Sequence, residues 1–291
     1  MSDPAAGDHA AAAAFKALRA RARAEHGSNT QSLLVVYAVE SFLRRLAMSA
    51  HAHRMVLKGG MLMAASDIRR MTKDADLATH GMANGEHAVR DAVAEIIALV
   101  PDPPDGVTFD PATIRTEVMR EGDEYEGVRC KLTATLGRAQ IPFALDFSFG
   151  DPVRSTVITL ESVIGHPGIE LAAYPLTLNL AEKIVTAMQR RETSTRDRDF
   201  ADLWVASRRH RLDAAELRGH ITAVAAHRGQ PVLPLAEALA HMPDRQRPYT
   251  AMVERMSYRS PPPARWTDML TDVIAFVDAL LGDERALWSQ G

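Results

Sequence analysis

The sequence predicts an α/β (α+β) chain of two lobes, a strand-bearing lobe followed by a helical one. Three observations lead there. Alternation of apolar and polar residues concentrates between Val107 and Phe149, the signature of half-buried strands. Beyond about residue 175 the apolar residues recur at helical spacing instead. The chain has 291 residues, 46% of them hydrophobic and 24% charged, enough to bury a sizeable core and divide into lobes.

Taken in order, residues 1–9 read as a disordered lead and a helix follows to about Arg23, the stretch 1–29 standing ahead of the two lobes. His26-Gly27-Ser28-Asn29 breaks it. A helix over 30–48 places Leu34, Tyr37, Ala38, Ser41, Phe42 and Leu46 along one face, with Arg44 and Arg45 outside. Met55-Val56-Leu57 is a short buried strand running into Gly59-Gly60; a brief helix over 61–66, a strand over 74–79 and a helix over 85–99 come next. Strands are predicted over 113–118, 129–136 and 142–149, stopped by Gly150-Asp151-Pro152 with Asp151 as a turn former. Helices then cover 176–190, 199–209, 214–227, about 247–257 and 266–282, the last two separated by the triple proline at 261–263. The strand-bearing lobe therefore spans 30–170, and the helical lobe, 171–291, closes over it and completes the site.

Composition narrows the function. With 34 basic and 37 acidic residues the net charge is −3, so the chain is no globally basic nucleic-acid binder. The arginines at 19, 21 and 23, and the basic run at 208–211, read as solvated helix faces sooner than as an RNA track, although a polymerase-like metal site would bring the second reading nearer. The single Cys130 excludes an intramolecular disulfide and a cysteine zinc site, and reads as a packed thiol. No stretch approaches the roughly 18 apolar residues of a membrane span, and no signal peptide is evident. A cytoplasmic protein with no membrane partner is expected, with a monomer preferred.

The chemistry-bearing stretch is Leu57-Lys58-Gly59-Gly60 followed by Arg70-Met71-Thr72-Lys73-Asp74-Ala75-Asp76-Leu77. A Gly-Gly turn opening a helix offers free backbone N–H groups to an anion. Asp74 and Asp76, two apart on a strand, share one face. The pairing suggests a nucleoside triphosphate at Lys58, Gly59 and Gly60, with divalent metal at the two carboxylates. Asp146, alone in the apolar strand Phe143-Ala144-Leu145-Asp146-Phe147, is the best third ligand, because an isolated carboxylate there is costly. Its bland alternative is a strand-end acid facing water. Arg70 is placed to clamp a phosphate, or to stand in water as a loop arginine. Thr72, two residues before Asp74, also lies near the proposed phosphate site, and a phosphate added there would block nucleotide entry.

Downstream, Lys183 has Leu180, Ile184 and Ala187 at i−3, i+1 and i+4, which turns it toward a packed face. A lysine there suits a triphosphate contact; the alternative is a snorkelling side chain at a core edge. Asp199 and Asp202 share one helix face and either orient Lys183, contact base or sugar, or pair with Arg196 and Arg198.

Lys58-Gly59-Gly60, the 70–76 run, Leu145-Asp146-Phe147 with Gly150-Asp151, Glu182-Lys183 and Arg198-Asp199-x-x-Asp202-Leu203 together resemble the AbiEii/AbiGii nucleotidyltransferase toxins, MenT-type toxins among them. The resemblance runs from about Tyr37 to Leu203. It implies a polymerase-β-like nucleotidyltransferase lobe with a mixed sheet and a C-terminal helical lobe. It further implies transfer of NMP from NTP to RNA, with the tRNA 3′ end as acceptor, Mg2+ as cofactor and a cognate antitoxin as partner. On this chain, Gly59 and Gly60 would form the nucleotide turn, Asp74 and Asp76 would ligate metal, Lys183 would contact the triphosphate, and Asp199 or Asp202 would complete the late motif; Asp146 fits the third acid. Transfer to a protein side chain, phosphoryl transfer and a non-catalytic nucleotide-binding module remain as alternatives.

Overall fold

A computed structural model describes residues 4–24, 29–68, 74–120, 126–150, 154–256, 258 and 260–282. They cluster into two compact units. One holds the described residues up to Ala65 and from Asp74 to Ala173; the other holds those from Tyr174 onward together with residues 66–68.

The first unit opens with two helices, α1 (Pro4–Ala24) and α2 (Thr30–Met48). Within the stretch expected to be a disordered lead, α1 already begins at Pro4, residues 1–3 lying outside the described residues, and its Leu18 is fully buried. Asn29 caps α2 by accepting from the Ser32 N–H at 2.7 Å. Then come β1 (Met55–Lys58), α3 (Gly59–Ala65), β2 (Asp74–Thr79), α4 (Glu86–Ile97), β3 (Val107–Phe109), β4 (Arg115–Arg120), β5 (Glu126–Leu136), β6 (Ala139–Phe149), β7 (Thr156–Leu160) and β8 (Ile169–Ala173). The strands form one eight-stranded mixed sheet in the order β3-β5-β6-β2-β1-β8-β7, with β4 also paired to β5. Pairing is parallel at β1/β8 and β2/β6 and antiparallel elsewhere.

β5 and β6 join through a two-residue turn in which Gly137 takes φ +58°, a conformation that suits glycine. The turn sets Leu136 opposite Ala139 and so fixes the register of the whole hairpin. Along β6 burial alternates strictly: Phe143, Leu145, Phe147 and Phe149 are buried, while Ala144, Asp146 and Ser148 lie on the half-exposed face. Strand β2 alternates over its first four residues, burying Ala75 and Leu77 and leaving Asp74 and Asp76 half-buried on the other side, before Ala78 and Thr79 are both buried. The buried side carries α2 and α4.

Arg45 is the main departure from the expected helix face. It is buried, not outside. Its guanidinium reaches Asp105 at 2.6 and 3.1 Å and the Val107 carbonyl at 2.8 Å, and it lies 4.9 Å from the Phe109 ring centre. Asp105, also buried, accepts further from Ser41 and from the Val107 N–H. Glu40 is fully buried as well and takes the Val163 N–H at 2.8 Å. These polar groups tie α2 to the loops on either side of the sheet. Cys130 is buried, its thiol pushed up to about 12 by desolvation, in keeping with a packed residue.

The second unit is helical: α5 (Leu176–Arg190), α6 (Asp197–Arg209), α7 (Ala214–His227), α8 (Leu235–Ala238), α9 (Gln246–Met256) and α10 (Trp266–Gly282). Trp266 lies at its centre, 5.6 Å from Phe200 edge-on and 5.5 Å from Tyr249. Arg245 clasps Asp197 through two bonds of 2.6 and 2.8 Å, pinning the start of α9 to the start of α6. Among the described residues no helix is long and apolar enough to cross a membrane.

Candidate active site

Gly59 follows β1 and opens α3 in a left-handed conformation, φ +62°, and a Cβ there would fall 1.9 Å from the Asp76 Oδ2. Only glycine lets the carboxylate come so close to the backbone. The Gly60 N–H donates to the same oxygen at 3.2 Å. Thus the Gly-Gly turn predicted to face an anion already serves one, the side chain of Asp76. Both glycines belong to α3, and Gly60 is buried.

Strand register does the rest. Lys58 pairs with Asp76, Asp76 with Asp146, Asp146 with Arg129, and Arg129 with Glu117. Five charged residues of alternating sign, interrupted only by the two neighbouring acids, therefore cross five adjacent strands on one face of the sheet. Asp74 sits one pleat away on the same face. Burial raises the pKa of Asp76 above the usual carboxylate range, and Asp74 and then Asp146 raise it further, against the Gly60 N–H and Lys58, which lower it. Asp146 is met by Arg129, whose Nε and Nη2 donate to its two oxygens at 2.7 and 2.6 Å. That bond is also the chief reason the Arg129 guanidinium holds its proton more tightly than usual.

A half-buried, mutually repelling set of hard oxygen donors suits a divalent cation, and Asp74 with Asp76 fit one. Among the described residues, however, no three His, Cys, Asp or Glu side chains converge to hold a metal. Both oxygens of Asp146 are engaged by Arg129. Sequence reading missed Arg129. The signal was present in the Gly137-Arg138 turn, since a two-residue hairpin loop there sets Arg129 opposite Asp146. Arg70, Thr72 and Asp151 lie outside the described residues.

In the helical unit, α5 and α6 bring the late motif together. Lys183 Nζ bonds Asp199 and stands 3.1 Å from Asp202. Two of the alternatives open at the sequence level are thus both seen: the aspartates bond Lys183, and Asp199 also pairs with Arg196. Arg196 is 3.7 Å from Asp199, and the Tyr258 hydroxyl donates to Asp202 at 3.2 Å. Burial pushes the Asp199 pKa upward, but Lys183, Arg196 and Arg198 together outweigh it, and the carboxyl ends below its ordinary value. A shallow cleft beside this cluster is lined by Lys183, Thr186, Ser194, Arg196, Asp199 and Phe200.

A mixed sheet presenting two carboxylates beside a Gly-Gly turn, with a separate helical unit, defines a nucleotidyltransferase-fold protein. Residues 41–276 match the family described as Nucleotidyl transferase AbiEii toxin, Type IV TA system, and the chain belongs to that family. Its fold is similar to that of MenT4, the nucleotidyltransferase toxin Rv2826c from Mycobacterium tuberculosis H37Rv, with a TM-score of 0.58 at 15% identity over 93% of this chain and 90% of that one. A looser likeness links it to JHP933 from Helicobacter pylori, with a TM-score of 0.48 at 12% identity over 83% and 88% of the two chains. Comparison with curated proteins yields no match.

Proposed function

We propose that the protein is a Mg2+-dependent toxin that moves NMP from an NTP onto RNA, the 3′ end of tRNA being the acceptor, and that a cognate antitoxin restrains it. One observation carries the reading: Asp74 and Asp76 stand on one sheet face beside a glycine turn that only glycine can make. Family membership supplies the class of reaction.

In this reading Asp74 and Asp76 would hold the cation, with Asp146 as the third acid. A bound magnesium would supply positive charge at the triphosphate. The chain's own residues orient the reactants. Lys58, Gly59 and Gly60, with Arg70 and Thr72 close by in sequence, would bind the donor; Lys183, set by Asp199 and Asp202, would meet its phosphates as a point charge. The RNA 3′-hydroxyl attacks the α-phosphorus in line, an O–P bond forms, the α–β bridge breaks, and pyrophosphate leaves. The hydroxyl proton passes to one of the site carboxylates. Catalysis is positioning and charge neutralisation more than covalent chemistry.

The acceptor is tested by incubating the protein with Mg2+, total tRNA and each α-labelled NTP in turn. Label on the RNA 3′ end, with one base preferred, supports the reading. Label on protein alone moves the acceptor to a side chain. NTP binding with no transfer leaves a nucleotide-binding module.

A further inference from the structure

Resting on the reading of Asp74 and Asp76 as cation ligands, we propose that Arg129 is a positioning residue that keeps Asp146 occupied, so that cation loading at this acid is an exchange of a guanidinium for a metal.

The geometry has four parts. Both Asp146 oxygens are taken by the Arg129 fork, at 2.7 and 2.6 Å. Asp146 is nevertheless the direct register partner of Asp76 on the next strand, on the same face. It is thus placed beside the other two acids, yet no three acids converge among the described residues. Finally, Arg129 has a second acid to turn to: Glu117 is its register partner on the far side, on β4. Glu117 is half exposed and pairs now with Lys131 at 2.8 Å.

Physical chemistry makes the exchange worthwhile. Carboxylates ionised together on one half-buried face repel one another, and a bidentate arginine neutralises the one at Asp146. The Arg129 side chain is 38% exposed, so it can leave Asp146 without opening the core. A freed guanidinium stays charged at any working pH and keeps a carboxylate within reach at Glu117. The protein thereby holds its acids together when no metal is bound, at the expense of cation affinity.

The test titrates Mn2+ into the metal-free full-length protein without nucleotide, by calorimetry and by the loss of the free-ion electron paramagnetic signal. Arg129→Gln should bind Mn2+ about tenfold more tightly than wild type, a change of the size such supporting residues exert on metal affinity. Arg129→Lys, which keeps the charge but not the fork, should fall between. Adding Asp146→Asn to Arg129→Gln should abolish the gain. An Arg129→Gln affinity within about twofold of wild type overturns the proposal, as does a gain that persists in the double variant. Asp74→Asn in the same titration separates the two readings: Mn2+ binding that survives it overturns the carboxylate pair as the cation site. Binding lost in Asp74→Asn but indifferent to Arg129 overturns the exchange alone.

Discussion

At the scale of single residues, the site is a compromise between burial and charge. Asp76 has a raised pKa, first because burial penalises its ionised form and then because Asp74 stands near. The folded state therefore binds that proton more tightly than the unfolded chain. The resulting stability is fully present below the ordinary carboxylate value of about 3.9 and is lost as pH rises through the folded value. Asp76→Asn should accordingly melt a few degrees above wild type at pH 7 in the absence of metal, with the gap closing on acidification; thermal scans across pH 3–8 measure this. Gly59→Ala should do the opposite, because its Cβ would meet the Asp76 carboxylate and its backbone is left-handed. The expected cost is about 1–3 kcal/mol, read from the urea midpoint. The Asp74/Asp76 pairing was legible because two residues apart on a strand means one face. Arg129 was harder to see, because its meaning depends on a hairpin register set by a turn seven residues or more away.

At the scale of elements, the longer pieces announce themselves, while several of the short strands do not. The helices α2, α5, α7 and α10 and the strand β2 run where their periodicity places them. By contrast β3, β7 and β8 have three to five residues each, and β7 is largely exposed, so its side chains show no buried alternation to read. An isolated strand this short is made by its neighbours. Arg45 was misplaced for a related reason. An arginine on a helix reads as solvent-facing until its partner is known, and that partner, Asp105, is sixty residues along the chain. Truncating it tests how far this network secures α2. Arg45→Met leaves Asp105 a buried, uncompensated charge and should cost about 3–5 kcal/mol. Arg45→Met combined with Asp105→Asn should recover a good part of that, by urea denaturation. Full additivity of the two single losses would show that the residues do not act as a pair.

At the scale of the whole molecule, the chain joins a strand-bearing unit that gathers carboxylates and a helical unit that gathers Lys183, Asp199 and Asp202. Membership in the AbiEii family gives the class of activity. The residues give the claim that Asp74 and Asp76 are its chemical centre. The most direct measurement supplies NTP labelled at either the α- or the γ-phosphate, with Mg2+ and total tRNA, to wild type and to Asp74→Asn and Asp76→Asn variants of matched fold. The account predicts that α-label alone moves to RNA, and that each variant loses it by at least about a hundredfold, as befits loss of a group stabilising developing charge. Transfer of γ-label, or α-transfer that persists in both variants, would contradict it.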